Sequence, residues 1–189
     1  MAERVTLAVT GASGVQYAMR LLGCLVEAGV EVSFLISQAA QLVVATETEW
    51  QLPPKPQALE QYLTEQFKAA QGQIKVYGKQ DWMAPVASGS GAPAAMVVCP
   101  CSTGTLSAIA TGASNNLIER AADVALKEDM MDWCCLLAQN APLQAVLLLN
   151  ATPSASSPTS SSTGSTSLGS IIHPEQTRCC SLEALMDTD

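Results

Sequence analysis

Residues 4–14 read RVTLAVTGASG, and this stretch decides the fold class. Its first part, Arg4–Thr10, is a short apolar run rich in β-branched residues, which is typical of a buried strand. Gly11–Gly14 supplies a tight turn, and Val15–Ala28 has the apolar spacing of a helix. The pattern predicts a strand, a glycine turn and a helix in direct succession.

The same alternation continues outward from this opening. Glu31–Ile36 predicts a second strand, and Ser37 is placed to cap a helix over Gln38–Thr46. Further strands are predicted over Ile74–Tyr77, Ala95–Cys99 and Trp133–Ala138, and further helices over Ala58–Ala70, Ser102–Thr111 and Asn116–Lys127. Strands that alternate with helices indicate an α/β fold with a doubly wound, mostly parallel sheet and right-handed crossovers.

Composition agrees with this class and excludes others. Hydrophobic residues make up 48% of the 189 residues but aromatic residues only 4%, so the core must consist of small aliphatic side chains. A net charge of −8 with nine Lys and Arg argues against a nucleic-acid-binding surface. We see no signal peptide and no apolar run long enough for a membrane span, and we therefore expect a cytoplasmic protein.

The seven cysteines are expected to be reduced thiols, since their number is odd and they lack the spacing of a disulfide framework. Cys99-Pro100-Cys101 leaves a metal or redox pair open as an alternative. A single C-x-C without a second cluster of ligands is a poor zinc site, so we expect no metal.

The glycine turn is the first candidate binding site. Glycines at Gly11 and Gly14 let backbone N–H groups face a ligand, and the helix that follows favours an anion such as phosphate. A turn without any ligand remains an alternative. Short-chain dehydrogenases open similarly, but they need a Tyr-x-x-x-Lys pair, which no tyrosine of this chain has.

A second turn repeats this design after the strand that ends at Cys99. Three small hydroxyl residues and a glycine follow it, namely Ser102, Thr103, Gly104 and Thr105. Together the two turns could hold both ends of one nucleotide at the carboxyl edge of the sheet. Ordinary helix capping by Ser102 or Thr103 is the alternative.

Other polar residues form a looser group of candidates. Ser88-Gly89-Ser90 is a hydroxyl loop suited to a second phosphate, with a plain surface loop as the alternative. Glu47 follows an apolar helix and could act as a general acid or base, or be a solvated charge. Arg120 and Lys127 lie two helical turns apart and could both reach an anion, although Glu119 and Asp123 offer them ion pairs.

Taken in order, four segments resemble the flavin prenyltransferases of the UbiX type. They are TGASGVQYAMRLL, FLISQAAQLVVATET, DWMAPVASGSGAP and VVCPCSTGTLSAIATGASNNLIERAADVALKE, within Val5 to about Glu128. The resemblance implies a flavodoxin-like Rossmann fold of three layers. It also implies a dodecamer that binds FMN and dimethylallyl phosphate without a metal. The implied product is prenylated FMN for partner decarboxylases of the UbiD type, including the one in ubiquinone synthesis.

The resemblance also implies roles for single residues. Ser13 and Glu47 match residues with proton-transfer roles, and Lys127 matches a binder of the prenyl phosphate, with Arg120 in the adjoining motif. Flavin contacts are implied for Gly11, Ala12, Ser13, Ser37, Ser102, Thr103, Gly104 and Thr105, and prenyl phosphate contacts for Ser88, Gly89 and Ser90. Trp82 is the aromatic residue expected to shelter an allylic cation, or else simply to pack.

The C-terminal third departs from the family pattern. A trial alignment places Gln139 and Asn140 where the family has an Arg-Glu pair, and Leu147 and Leu149 where it has His and Glu. Thirteen of the twenty residues 151–170 are Ser or Thr, which predicts disorder.

We therefore expect an FMN-binding domain over 1–150, a Ser/Thr-rich segment over 151–170 and a tail over 171–189. The altered tail leaves three alternatives to a fully active enzyme: an inactive FMN-binding paralogue, a subunit that only joins an oligomer, or a disrupted coding sequence. A flavin-dependent cysteine decarboxylase is a further alternative, but the only histidine that it could use, His173, lies in the tail.

Overall fold

The structure, a computed structural model, describes residues 4–127, 132–136 and 146–148, and for the last two segments only the backbone. All of these residues belong to one unit, Met1–Leu149. The segments 151–170 and 171–189 lie outside the described residues, as do Gln139, Asn140 and Leu149. What we expect of them stays a prediction.

Six strands form one sheet in the order β3-β2-β1-β4-β5-β6. All neighbouring pairs are parallel except β5 and β6, which are antiparallel. The strands are β1 (Arg4–Val9), β2 (Glu31–Ile36), β3 (Ile74–Tyr77), β4 (Ala95–Val98), β5 (Asp132–Leu136) and β6 (Val146–Leu148). The predicted α/β class with a mostly parallel sheet is confirmed.

Helices connect the strands close to the predicted places. They are α1 (Val15–Glu27), α2 (Gln38–Glu47), α3 (Pro56–Gln66), α4 (Thr103–Ala110) and α5 (Leu117–Lys127). Two short 3₁₀ turns, Pro85–Ala87 and Gly89–Gly91, interrupt the loop before β4 and were not predicted. None of the helices in the described ranges is long and apolar enough to cross a membrane.

The sheet is covered on both faces, and β1 shows why. Its side chains alternate, so Leu7 and Val9 enter a core cluster with α1 and α3, while Ala8 enters the opposite cluster with α5. Valine, leucine and alanine dominate both clusters, and Phe34 is the one fully buried aromatic side chain among the described residues. The predicted small aliphatic core is confirmed.

Strand order fixes where a ligand can bind. The chain winds from β1 to β2 and β3 on one side and then returns to place β4 on the other side of β1. This is the strand order of dinucleotide-binding Rossmann sheets; flavodoxin has a different order but obeys the same rule. The rule puts ligands at the carboxyl ends of the strands where the winding reverses, which here is between β1 and β4.

Candidate functional site

The turn after β1 lies against the start of α2 with no room for a side chain at Gly11. A Cβ atom on Gly11 would lie 2.5 Å from the Cβ of Ala39. Gly14 has a φ of 103°, which favours glycine, and from there α1 begins. Among the described residues no group accepts a hydrogen bond from the backbone N–H of Gly11 or Ser13. The turn therefore offers free amide donors, as its sequence predicts.

Ser37 joins the end of β2 to this turn. Its N–H donates to the carbonyl oxygen of Val9 (2.9 Å), and its side-chain oxygen accepts from the N–H of Ala40 (3.0 Å). The predicted cap of α2 is confirmed. Because the Ser37 hydroxyl proton is not used in that bond, it remains available to a ligand in the same crevice.

The turn after β4 is held by its own hydroxyl groups and by Thr10. Ser102 caps α4: its Oγ accepts from the N–H of Thr105 (3.3 Å) and donates to the Thr105 hydroxyl (3.0 Å). Gly104 has no atom within 4 Å of the place where a Cβ would stand. The predicted capping by Ser102 is therefore present, and Gly104 leaves open space at the start of α4.

Ser13 and Glu47 come together although they are 34 positions apart. The Ser13 hydroxyl donates to Oε1 of Glu47 at 2.8 Å, and both residues are exposed. Glu47 is the last residue of α2, so the helix that Ser37 caps ends with its Glu47 side chain bonded to the glycine turn. The two residues expected to transfer protons thus form one hydrogen-bonded pair.

The hydroxyl loop before β4 is tied to α5 by Arg120. Its Nε donates to the carbonyl oxygen of Ala87 (3.1 Å), directly before Ser88, and the hydroxyl oxygens of Ser88 and Ser90 are 3.1 Å apart. Both serines are exposed. Arg120 therefore positions the loop that the sequence predicts as a phosphate binder.

A single carboxylate holds both cations of α5. Oδ2 of Asp123 accepts from Nη1 of Arg120 (2.8 Å) and from Nζ of Lys127 (2.9 Å). Lys127 stays 65% exposed, so it can turn to an incoming anion. The two residues do share one helix face, as expected.

Glu119, however, makes no ion pair among the described residues. Its carboxylate accepts from the backbone N–H of Asn115 (2.7 Å) and from the side-chain amides of Asn115 (3.0 Å) and Asn116 (2.7 Å). Asn116 in turn caps α5 by accepting from the N–H of Glu119 (3.1 Å). The Asn-x-x-Glu spacing of a capping box was the signal that could have predicted this.

The predicted residues fall into two groups. The first joins the turns after β1 and β4 with Ser37 and Glu47, and the second joins the Ser88–Ser90 loop with Arg120 and Lys127. In the described ranges no hydrogen bond links the two groups. Trp82 lies six positions before the loop, 44% exposed, with its Nε1 donating to Oε1 of Gln80 (3.2 Å).

The comparisons agree with this layout. The Flavoprotein family model matches residues 1–150. A flavin prenyltransferase UbiX from Pseudomonas aeruginosa is 65% identical over 148 residues, which cover 78% of this chain and 70% of that protein. The aligned region therefore leaves part of that protein's length without a counterpart in this chain.

Two solved structures are similar as well. A UbiX protein, AnUbiX, in complex with FMN and dimethylallyl pyrophosphate has a TM-score of 0.58 and 34% identity, over 68% of this chain and 61% of that one. A dodecameric FMN-dependent UbiX-like decarboxylase from Escherichia coli O157:H7 has a TM-score of 0.60 and 27% identity, over 72% and 67%. With its glycine turn, its capped second turn and its α5 motif in place, the chain belongs to the Flavoprotein family and, within it, to the UbiX-type flavin prenyltransferases.

Proposed function

We propose that this protein transfers a dimethylallyl group from dimethylallyl phosphate to FMN. The product, prenylated FMN, would serve decarboxylases of the UbiD type, including that of ubiquinone synthesis. The observation that carries the proposal is the pair of hydroxyl-lined turns at the switch point between β1 and β4. The family of this chain also supports the proposal, because a relative that is 65% identical over 148 residues is a flavin prenyltransferase.

The crevice between β1 and β4 fits FMN. The turn after β1 offers free N–H groups of Gly11 and Ser13 at the start of a helix, where a phosphate is favoured. Ala12 adds only a methyl group to this turn, so the backbone stays accessible. Thr103 and Gly104 are exposed at the start of α4, where a flavin ring edge would find donors and space.

The second group fits the prenyl phosphate. Arg120 donates to the carbonyl oxygen directly before Ser88, and Lys127 shares the Asp123 carboxylate with Arg120. Breaking the bond between the prenyl carbon and oxygen leaves negative charge on the phosphate, and these donors stabilise that charge as it develops. Asp123 releases Lys127 when the phosphate arrives, because a phosphate accepts more hydrogen bonds than the shared carboxylate oxygen.

Proton transfer falls to Ser13 and Glu47. FMN, when bound, would supply the two acceptor atoms, N5 and C6. The proton on N5 would leave as the prenyl carbon binds there, and ring closure would need one proton added to the prenyl double bond and one removed from C6. Glu47 accepts the hydrogen bond of Ser13, so in its ionised form it can draw a proton through the serine hydroxyl. Both groups are exposed at the crevice, which leaves them within reach of a bound ligand.

The assembly and location are proposed from the same family. A relative is dodecameric, and we infer a homo-oligomer, with the cytoplasm as its compartment. Met83 is 92% exposed and Leu42 66% exposed, so large apolar side chains remain to be covered by a neighbouring subunit.

The test begins with the visible spectrum of the purified protein. We expect bound FMN and, after addition of reduced FMN and dimethylallyl phosphate, a prenylated flavin detected by its mass. Ser13→Leu should abolish FMN retention, since its side chain would fill the turn, while Ser107→Leu on the exposed face of α4 should not. Colourless protein that cannot be reloaded with FMN would refute the proposal. Bound FMN without any product would instead indicate a binding protein.

A further inference from the structure

Thr10 links the turn after β1 to the turn after β4. Its hydroxyl donates to the carbonyl oxygen of Pro100 (2.9 Å) and accepts from the N–H of Ser102 (2.7 Å). Its own N–H also donates to Pro100 (3.1 Å). A threonine hydroxyl has one proton to donate and lone pairs to accept with, so both side-chain bonds exist together.

The position of these bonds matters because the sheet ladder has already ended there. The register of β1 with β4 runs only from Val5↔Ala95 to Ala8↔Val98. Beyond it, the Thr10 hydroxyl reaches across to the turn in which Ser102 caps α4. On its own side, the Thr10 carbonyl oxygen accepts from the N–H of Ala12 (2.8 Å) within the glycine turn.

We propose that Thr10 is a positioning residue of the flavin site, which sets the separation and orientation of the two binding turns. The inference rests on the proposed function, since it concerns the same crevice. Thr10 is 1% exposed, so it acts through its neighbours and touches no ligand. Without its hydroxyl the Ser102 N–H loses its acceptor, which leaves the backbone bond from the Thr10 N–H to Pro100 to hold the start of α4 to the glycine turn.

Thr6 in β1 provides a matched control for Thr10, which directly follows that strand. It lies four positions earlier, so its side chain is on the same face of β1, and it is 0% exposed. Its hydroxyl is buried without a hydrogen-bond partner. Thr6→Val and Thr10→Val therefore make the same chemical change at two buried positions, but only the second breaks hydrogen bonds.

The experiment measures FMN affinity of the apo-protein well below its unfolding temperature, together with its thermal unfolding. We expect Thr10→Val to weaken FMN binding at least tenfold. Thr10→Ser, which keeps both bonds, should stay within about threefold of wild type, and Thr6→Val should bind like wild type. A merely structural Thr10 would lower the unfolding temperature and leave the affinity of the folded protein unchanged, and that result would overturn the proposal.

If the Thr10→Val variant does not fold, a second measurement on the wild-type protein tests the proposal. In the wild-type apo-protein the Ser102 amide should exchange with solvent as slowly as amides inside the sheet, because Thr10 holds it. Exchange at the rate of an exposed loop would contradict the coupling. If wild-type protein binds no FMN at all, the proposed function fails, while the Ser102 exchange rate still tests the link between the turns.

Discussion

Ser13 and Glu47 show what one hydrogen bond does at the residue scale. The serine donates and the carboxylate accepts, so we expect the pair to pass a proton toward Glu47. The approach depends on Gly11, because any larger residue there would push α2, and with it Glu47, away from the turn. The hydrogen bond between Ser13 and Glu47 therefore depends on Gly11 in the turn as well as on Glu47 in α2.

Replacing Glu47 by glutamine separates proton transfer from binding. Gln keeps an acceptor oxygen for Ser13 but removes the basic carboxylate, so FMN retention should remain and the rate of prenylation should fall about 10²- to 10⁴-fold. Single-turnover measurements with reduced FMN and dimethylallyl phosphate give that rate. Glu49→Gln, a nearby exposed carboxylate, is the control and should react like wild type. Equal rates for both variants would remove Glu47 from the mechanism.

At the scale of the element, α5 has a first turn that is fixed by hydrogen bonds and a face that carries two positive charges. Its first turn is fixed by the Asn116 cap and by Glu119, which is 9% exposed and accepts three hydrogen bonds. Its later turns present Arg120 and Lys127, which Asp123 holds in place. A firmly fixed start lets the helix place its cations at a defined distance from the Ser88–Ser90 loop.

Removal of Arg120 should affect the prenyl phosphate and leave FMN almost untouched. Arg120→Ala loses a charge-assisted donor and releases the carbonyl of Ala87, so KM for dimethylallyl phosphate should rise at least tenfold. FMN titration and steady-state kinetics measure the two effects separately. Arg20→Ala, on the exposed surface of α1, is the charge-matched control. A parallel loss of FMN affinity in Arg120→Ala would show that the helix supports both ligands.

The elements themselves were largely predictable, whereas the contacts between them were not. Local spacing predicts β3 with its observed bounds and the capping of α2 by Ser37, because periodicity and caps depend on near neighbours. The hydroxyl of Thr10 gives no such signal, since its partners lie 90 and 92 positions away. A hint was available, because a polar residue closing an apolar strand needs a buried partner.

The same distinction holds for the site: the sequence predicts which residues belong to it, but not all of their contacts. Sequence placed Ser13, Glu47 and Lys127 in the site through the family resemblance, and the structure shows Ser13 bonded to Glu47. It did not predict which carboxylate holds the cations, because Glu119 and Asp123 are both within one helical turn of Arg120. Their hydrogen bonds decide between them: Glu119 accepts from the asparagines of the cap, whereas Asp123 accepts from Arg120 and Lys127.

At the scale of the whole molecule, the turns after β1 and β4 both lie within residues 1–150, which the family model matches. The β1 turn, Ser37 and the β4 turn all precede α5, and they need only residues that the structure describes. The resemblance implies that residues after α5 complete the prenyl phosphate site. We therefore expect FMN binding to need only residues that the structure describes, and prenyl transfer to need Ser13, Glu47 and residues after α5 as well.

This division leads to a last prediction, that the chain alone binds FMN but prenylates it slowly. In the trial alignment Gln139 and Asn140 stand at the family's Arg-Glu pair, no tyrosine follows Tyr77, and Arg178 is the only Lys or Arg after Lys127. Each charge-assisted hydrogen bond is worth roughly 1.5–3 kcal/mol. Without two or three of them the rate should fall on the order of a thousandfold or more.

The measurement compares this protein with the Pseudomonas aeruginosa relative under the same conditions. Both are mixed with reduced FMN and dimethylallyl phosphate, and the flavin adduct is followed by mass over time. FMN affinities should differ far less than the rates, because the N-terminal turns that hold FMN are present in this chain. Equal turnover by the two proteins would contradict the prediction and would mean that residues beyond α5 supply substitutes for the missing charges.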